Sequence, residues 1–412
     1  MTPGRLGRWS AVRRPILGLR GIRWLAPLLS LLWLAAAGPQ TAAAAPAQLD
    51  FTADERQQIL QHGPWPPPPA RDPGNALAGQ PAAVALGQRL FFDPRLSADG
   101  RLACAGCHVP GLAFADGRAR GQGRDTLDRH TPSLWNAGQQ RWLGWDGAFD
   151  SLWSQALRPL QHPREMAGSG AHLRRLLQAD AGLAGAWQRA IGSPPGSDDE
   201  ATLVLAAKAL GAFVATLQSG RTPFDRFRDA LARGDRRGTA AYPLAAQRGL
   251  RLFIGHGRCN TCHGGPLFSH GEFADTGRPF FVRPGVVDAG RHGGIQALLA
   301  SPHNLLGRHS DAPDSTAATK TRHVALQPRN FGEFKVPSLR NVADTPPYLH
   351  DGQLPTLAAV IAHYDRIKLD RLHADGEQIL RPLGLSSAQR ADLLAFLHTL
   401  SDPGARTWRP AK

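Results

Sequence analysis

Cys104-Ala105-Gly106-Cys107-His108 and Cys259-Asn260-Thr261-Cys262-His263 decide how this chain is read. Each is Cys-X-X-Cys-His, the spacing at which two thiols add across the vinyl groups of a porphyrin while the adjacent imidazole reaches the iron. The motifs use all 4 cysteines, leaving none for a disulfide, a zinc site or a catalytic thiol. Half zinc-ribbons would leave His108 and His263 unexplained, and a redox dithiol would come with a thioredoxin-like βαβ pattern that is missing. Two covalently bound haem c groups are therefore expected, each on its own domain.

Working outward, Gly87-Gln88-Arg89-Leu90-Phe91 precedes the first motif and Gly249-Leu250-Arg251-Leu252-Phe253 the second, so the chain reads as two copies of one cytochrome c-like unit. The apolar spacing of Leu86, Leu90 and Phe91 predicts a helix over 82–92, stopped by Asp93-Pro94. Leu/Ala-rich patterns of helical period run over 172–191 and 200–218. Ser386 and Gln389 form a capping box for a last helix, whose stripe is Leu393, Leu394, Leu397 and Leu400. No stretch reads as a convincing sheet.

Residues 46–80 contain Trp65-Pro66-Pro67-Pro68-Pro69 and are expected to run extended over the surface. A linker is expected near 234–241, and 276–329, rich in Gly, Pro, His and Asp, reads as an excursion of loops. The expectation is a mostly α fold with long loops, an N-terminal haem domain at 81–240, a C-terminal haem domain at 241–402 and a tail at 403–412.

The 412 residues leave room for two or three cores, and 34 prolines with 45 glycines agree with abundant loops. Six arginines of the formal +15 charge lie in residues 1–45, which carry no Asp or Glu. That segment has an arginine-rich start, an apolar run over 24–37 and Thr41-Ala42-Ala43-Ala44-Ala45, the pattern of an export signal cleaved near Ala45. An uncleaved anchor is the alternative, against which the run is short for a span of ~20 residues. Export to the periplasm fits covalent haem attachment. Nucleic acid is excluded as a partner, because no basic stretch is interleaved with stacking aromatics.

Five further stretches complete the pattern: Leu90-Phe91-Phe92-Asp93-Pro94-Arg95-Leu96-Ser97, Thr131-Pro132-Ser133-Leu134, Trp145-Asp146-Gly147, Phe334-Lys335-Val336-Pro337-Ser338-Leu339-Arg340-Asn341 and Pro347-Tyr348-Leu349-His350-Asp351-Gly352. With the haem motifs, these make the chain resemble the bacterial dihaem cytochrome c peroxidases and MauG over residues 82–402. The resemblance implies two cytochrome c domains facing each other, with hydrogen peroxide reacting at the N-terminal haem and electrons passing through the C-terminal one. His108 and His263 would be the proximal iron ligands.

In peroxidases of this kind a histidine on the loop after the first motif caps the first iron; here 109–129 contain no His, Met, Cys, Tyr or Lys. An open first iron is expected, with His130 as the alternative ligand. His130 falls where the family has an asparagine that helps hold an interdomain calcium, together with backbone oxygens at Thr345 and Pro347. Losing that side-chain oxygen counts against calcium. At the second iron the family uses a methionine, but only Met1 and Met166 exist, and the match puts Tyr364 at that position, as in MauG. His363 is the alternative. A hard, anionic phenolate favours the higher oxidation states of iron.

The resemblance also makes Glu165 the distal acid-base residue, sets Gln155 and Pro159 in the same pocket, and makes Trp145 the electron relay between haems. Trp135, Trp142 and Trp153 read as packing, and His350 as a structural part of the interdomain motif. The expected function is a periplasmic peroxidase that draws on a small electron-donor protein, a cytochrome c or a cupredoxin. Oxidative modification of a partner protein is the alternative mechanism, and a non-catalytic electron carrier or sensor the alternative class.

Overall fold

The computed structural model describes residues 48–70, 72–278, 281–368 and 379–410; the export segment expected over 1–45 lies outside them. Helices form where capping side chains and apolar spacing agree. In chain order the described helices are α1 (Ala53–Leu60), α2 (Pro81–Phe91), α3 (Cys104–Cys107), α4 (Leu152–Gln161), α5 (Gly170–Ala179), α6 (Ala181–Ile191) and α7 (Asp199–Ala215). They continue with α8 (Pro223–Ala232), α9 (Arg236–Ala240), α10 (Leu244–Ile254), α11 (Arg291–Ala300), α12 (Thr319–Arg322), α13 (Leu357–Asp365) and α14 (Ser387–His398). The fold is mostly α, as expected, and no described helix is long and apolar enough to cross a membrane.

Two apolar clusters hold most of these helices. In the first, Leu86, Leu90 and Phe91 of α2 meet Trp153 of α4, Trp187 of α6, and Leu210 and Phe213 of α7. In the second, Phe253 of α10 meets Ile361 of α13 and Phe396 of α14, and the cluster reaches back to Phe224 and Phe227 of α8 and Ile59 of α1. The repeated Gly-X-Arg-Leu-Phe glycine is the crossing point in each. A Cβ on Gly87 would lie 1.9 Å from the Ala209 carbonyl oxygen, and one on Gly249 would lie 2.0 Å from that of Asp392. Only a bare Cα lets α2 and α10 approach α7 and α14 so closely.

The repeat runs further than the short motif suggests. Pro132-Ser133-Leu134-Trp135-Asn136 is matched by Pro337-Ser338-Leu339-Arg340-Asn341, with Asn136 at φ 62° and Asn341 at φ 61°. The Asn136 amide donates to Leu217 and that of Asn341 to Leu400, at 2.7 and 2.9 Å. The bridge Leu143–Phe149 is matched by Tyr348–Leu354, and Ser151 caps α4 as Thr356 caps α13. At this constant spacing Trp145 corresponds to His350, Gln155 to Val360 and Pro159 to Tyr364.

Four expectations are corrected. Residues 46–80 are not extended throughout: a Thr52/Glu55 capping box starts α1, which is too short to show clear periodicity. The segment is also anchored. Trp65 is buried, donates from Nε1 to the Ser219 carbonyl at 2.9 Å, and lies 3.6 Å beneath the Arg340 guanidinium. The 172–191 pattern breaks at Asp180, whose carboxylate accepts from the Leu183 amide and caps α6. The linker near 234–241 contains α9.

The 276–329 excursion is built rather than loose: it holds α11, α12 and one short ladder, and a second ladder joins the chain on either side of it, strands of two and three residues that could not announce themselves in sequence. Strand β1 (Phe273–Asp275) pairs antiparallel with β4 (Glu333–Lys335), and β2 (Phe281–Arg283) with β3 (Val286–Val287). This insertion in the second repeat lies against the first. A Cβ on Gly294 of α11 would be 2.1 Å from the Asp146 carbonyl oxygen, and Arg291 donates to the Gly147 carbonyl at 2.8 Å. The glycines that made α11 look like a loop are what permit that contact.

Candidate haem sites

In the first motif α3 sets Cys104 and Cys107 one turn apart, and His108 follows as its C-terminal cap. His108 Nδ1 donates to the Phe114 carbonyl at 3.0 Å. Ala113 and Phe114, at φ 56° and 57°, turn the chain back to supply that carbonyl. The second motif repeats the device with a tighter 3-10 turn, Cys259–Thr261, and His263 Nδ1 donates to the Phe268 carbonyl at 2.9 Å, with Phe268 at φ 52°. With Nδ1 protonated, Nε2 keeps the lone pair a metal needs. Burial pushes His263 down to about 4 and lowers His108, which in both favours the neutral imidazole over the charged one. Burial also raises Cys104 and Cys259 to about 12 and Cys107 to about 11, which disfavours the thiolates of a redox dithiol.

A cavity of about 670 Å³ adjoins the first motif. Cys104, Cys107 and His108 border it, as do Trp145, Gln155, Pro159 and Glu165. Gln155 Oε1 is buried without a hydrogen-bond partner, an arrangement that calls for a bound polar group. Cysteine spacing, histidine tautomer and orphan acceptor together fit a haem and its ligand.

Glu165 reaches the cavity from a loop that folds back on α4. The Met166 amide donates to Pro159 at 3.0 Å and that of Gly168 to Leu160 at 2.7 Å. Glu165 Oε1 accepts from Arg158 Nε at 3.2 Å and lies 3.8 Å from His162 Nδ1, with its side chain 16% exposed. Arg158 and His162 were not singled out from sequence. Their spacing of three and seven residues from Gln155 suits one helical face, a signal that was available, although His162 itself is the C-cap that ends α4.

Trp145 and His130 meet at the junction of the repeats. Trp145 Nε1 donates to the His130 carbonyl, the His130 amide to the His350 carbonyl and His130 Nδ1 to the Arg118 carbonyl, each at 2.8 Å. The His130 imidazole has no oxygen to offer a calcium ion, and Thr345 and Pro347 border the same cavity. His350 stacks on Phe334 at 3.4 Å and 8°, and burial pushes it down to about 4. Arg129, which sequence reading passed over, binds Asp288 through two bonds of 2.7 and 2.6 Å and Asp146 at 2.6 Å. It ties the excursion to the Trp-Asp-Gly turn.

Tyr364 lies on α13, its ring 5.1 Å from that of His363. His363 Nε2 donates to the Thr276 carbonyl at 2.9 Å, which occupies the nitrogen best placed at the tip of the ring. The other two tyrosines direct their hydroxyls elsewhere: Tyr242 to Thr399 at 2.6 Å and Tyr348 to the Val342 carbonyl at 3.0 Å. Trp135, Trp142 and Trp153 are buried, as expected for packing residues.

Comparison with known proteins bears on the same residues. A profile described as di-haem cytochrome c peroxidase matches residues 81–233. The methylamine utilization protein MauG of Methylorubrum extorquens is 37% identical over 332 residues, covering 79% of this chain and 80% of the relative. The cytochrome-c peroxidase IdrP2 of Pseudomonas sp. (strain SCT) is 30% identical over 364 residues, 85% and 90% of the two chains. Among solved structures, a MauG-like protein associated with microbial copper homeostasis aligns with TM-score 0.62 and 28% identity over 84% of this chain and 97% of that one. The diheme peroxidase BthA from Burkholderia thailandensis shares the fold, with TM-score 0.64 and 24% identity over 80% and 88%.

Proposed function

Because the chain belongs to the di-haem cytochrome c peroxidase family, and is thus a haem oxidoreductase with two covalently bound haem c groups, we propose that it reduces hydrogen peroxide at its first Cys-X-X-Cys-His site. Cys104, Cys107 and His108 would hold one haem, and Cys259, Cys262, His263 and Tyr364 the other. The domains divide near residue 240, and export through residues 1–45 delivers the protein to the periplasm. Bound haem supplies an iron that takes peroxide as a ligand and exchanges electrons.

The chain supplies the rest. Glu165, positioned by Arg158 and His162, takes the proton from one peroxide oxygen and delivers it to the other, so that the O–O bond breaks with water as leaving group. Two electrons and two further protons complete the reduction to two waters. Gln155 Oε1 accepts a hydrogen bond from the peroxide and orients it. Pro159, at the position Tyr364 holds in the second repeat, has no donor atom with which to cap the first iron. Trp145 relays electrons between the halves, and a small donor protein, a cytochrome c or a cupredoxin, refills them. The observation that carries this reading is the orphan Gln155 acceptor, set beside Pro159 and the Arg158–Glu165 pair in a cavity bordered by the first haem motif.

A second reading has support of its own. Tyr364 in place of a thioether and the 37% identity to a MauG both favour use of peroxide to oxidise side chains of a partner protein. Stoichiometric hydrogen peroxide added to the fully ferric holoprotein tests both. Rapid loss of both ferric electron paramagnetic resonance signals without prior reduction is expected. Reaction only after one haem is reduced would place a cap such as His130 on the first iron, and no reaction in either state would leave an electron carrier. Tyr364→Met should raise the reduction potential of the second haem, measured by spectroelectrochemistry.

A further inference from the structure

We propose that Glu200, His303 and His309 bind one divalent transition-metal ion of the zinc or copper(II) class, stapling the 276–329 excursion to the first turn of α7. One ligand atom from each residue lies within 4.8 Å of the other two. Glu200 Oε1 is 2.9 Å from His303 Nε2 and 3.1 Å from His309 Nε2. Tetrahedral ligands at ~2.0–2.1 Å from zinc stand about 3.4 Å apart, so a small outward shift admits the ion. Two imidazoles and one carboxylate select zinc or copper(II) over calcium or magnesium, and solvent supplies the fourth ligand.

The ligands are held in place before any ion arrives. Asp198 caps α7 through the amides of Glu200 and Ala201, fixing the turn that carries the carboxylate. The loop bearing both histidines is pinned on each side. Asn304 donates to the Leu298 carbonyl at 2.9 Å, the Leu305 amide to Asp150 at 2.8 Å, and the buried Lys208 binds Asp311 at 2.6 Å. The two imidazoles stack at 5.3 Å and 20°.

Arg308 is the group the ion would displace. Its guanidinium binds Glu200 Oε2, and its Nε donates to His309 Nε2 at 3.1 Å, yet the side chain is 68% exposed and free to swing into water. None of the three ligands borders the cavity at the first haem motif, so the site stands apart from the peroxide chemistry.

The test is titration of chelator-stripped dihaem holoprotein with copper(II) chloride and with zinc chloride, against a chromophoric competitor. Copper(II) paramagnetic resonance reports the nitrogen ligands. One ion per chain is expected, with at least 10-fold weaker binding in His303→Ala and His309→Ala and several-fold tighter binding in Arg308→Ala. Peroxide reactivity should stay at the wild-type level. Wild-type affinity in both histidine variants, or Arg308→Ala that does not tighten binding, would overturn the site. Because Arg308 is exposed, its variant still decides the matter should a histidine variant fail to fold.

Discussion

The two Cys-X-X-Cys-His regions share a scaffold and differ in what faces it. Each has a glycine at a helix crossing, a histidine locked by the carbonyl of a phenylalanine at positive φ, and an asparagine in the left-handed region that ties the loop to the end of the last helix. The helix after the Asp-Gly turn then diverges. On α4 it carries Gln155, Arg158 and Pro159, with His162 as its C-cap, toward a cavity; on α13 it carries His363 and Tyr364. Repetition preserves the motifs that hold the cofactors, and in the proposed function the side chains in which the two helices differ set what each cofactor does.

The largest expected effect removes that difference. Glu165→Gln keeps the side chain's shape but not its base, so peroxide reactivity should fall by about 10²–10⁴-fold, measured by stopped flow on the ferric holoprotein. Pro159→Tyr makes the first helix resemble the second. It should cap the first iron, suppress peroxide binding comparably and leave the second haem's spectrum unchanged. Full reactivity in both variants would remove the functional asymmetry.

Next comes the ion pair peculiar to the second repeat. Arg340 and Asp225 are 0% and 2% exposed at the side chain and share bonds of 3.0 and 2.9 Å. The equivalent position in the first repeat is Trp135. Arg340→Met strands the Asp225 charge and should cost about 3–5 kcal/mol in urea unfolding.

The crossing glycines should respond alike. Gly87→Ala and Gly249→Ala each force a methyl against a backbone carbonyl and should destabilise by about 1–3 kcal/mol, read as shifts in the unfolding midpoint. Unequal effects would show that the crossings are not equivalent. The smallest effect is confined to the second half, where His62 stacks on Phe268 at 4.5 Å and burial pushes it from 6.5 down to about 4. Its unfolded form binds a proton that the folded form refuses, so its contribution is complete above pH 6.5 and is lost as pH falls toward 4. His62→Phe should flatten that part of the stability profile.

Some of this was open to reading in one dimension. Haem attachment, the two-copy plan and the capped last helix rest on local spacing, whereas Tyr364 as a ligand of the second iron rests on the family resemblance and belongs to the proposal. The spacing between Pro132–Asn136 and Pro337–Asn341 was also there, and following it would have set Pro159 opposite Tyr364 at once. Helix α11 was hidden because its glycines serve a contact with Asp146 rather than a loop.

What the sequence by itself determined is the chemistry bound within a few residues: covalent motifs, helix caps and apolar stripes, whose partners lie one to seven positions away. Only the tertiary structure decided that Arg129 joins Asp146 to Asp288, that Arg340 covers Trp65, and that Glu200 meets His303 and His309. Those polar contacts have no period to betray them. Each depends on side chains of distant stretches being brought together, for Arg129 and Glu200 by the packing of the excursion against the first repeat.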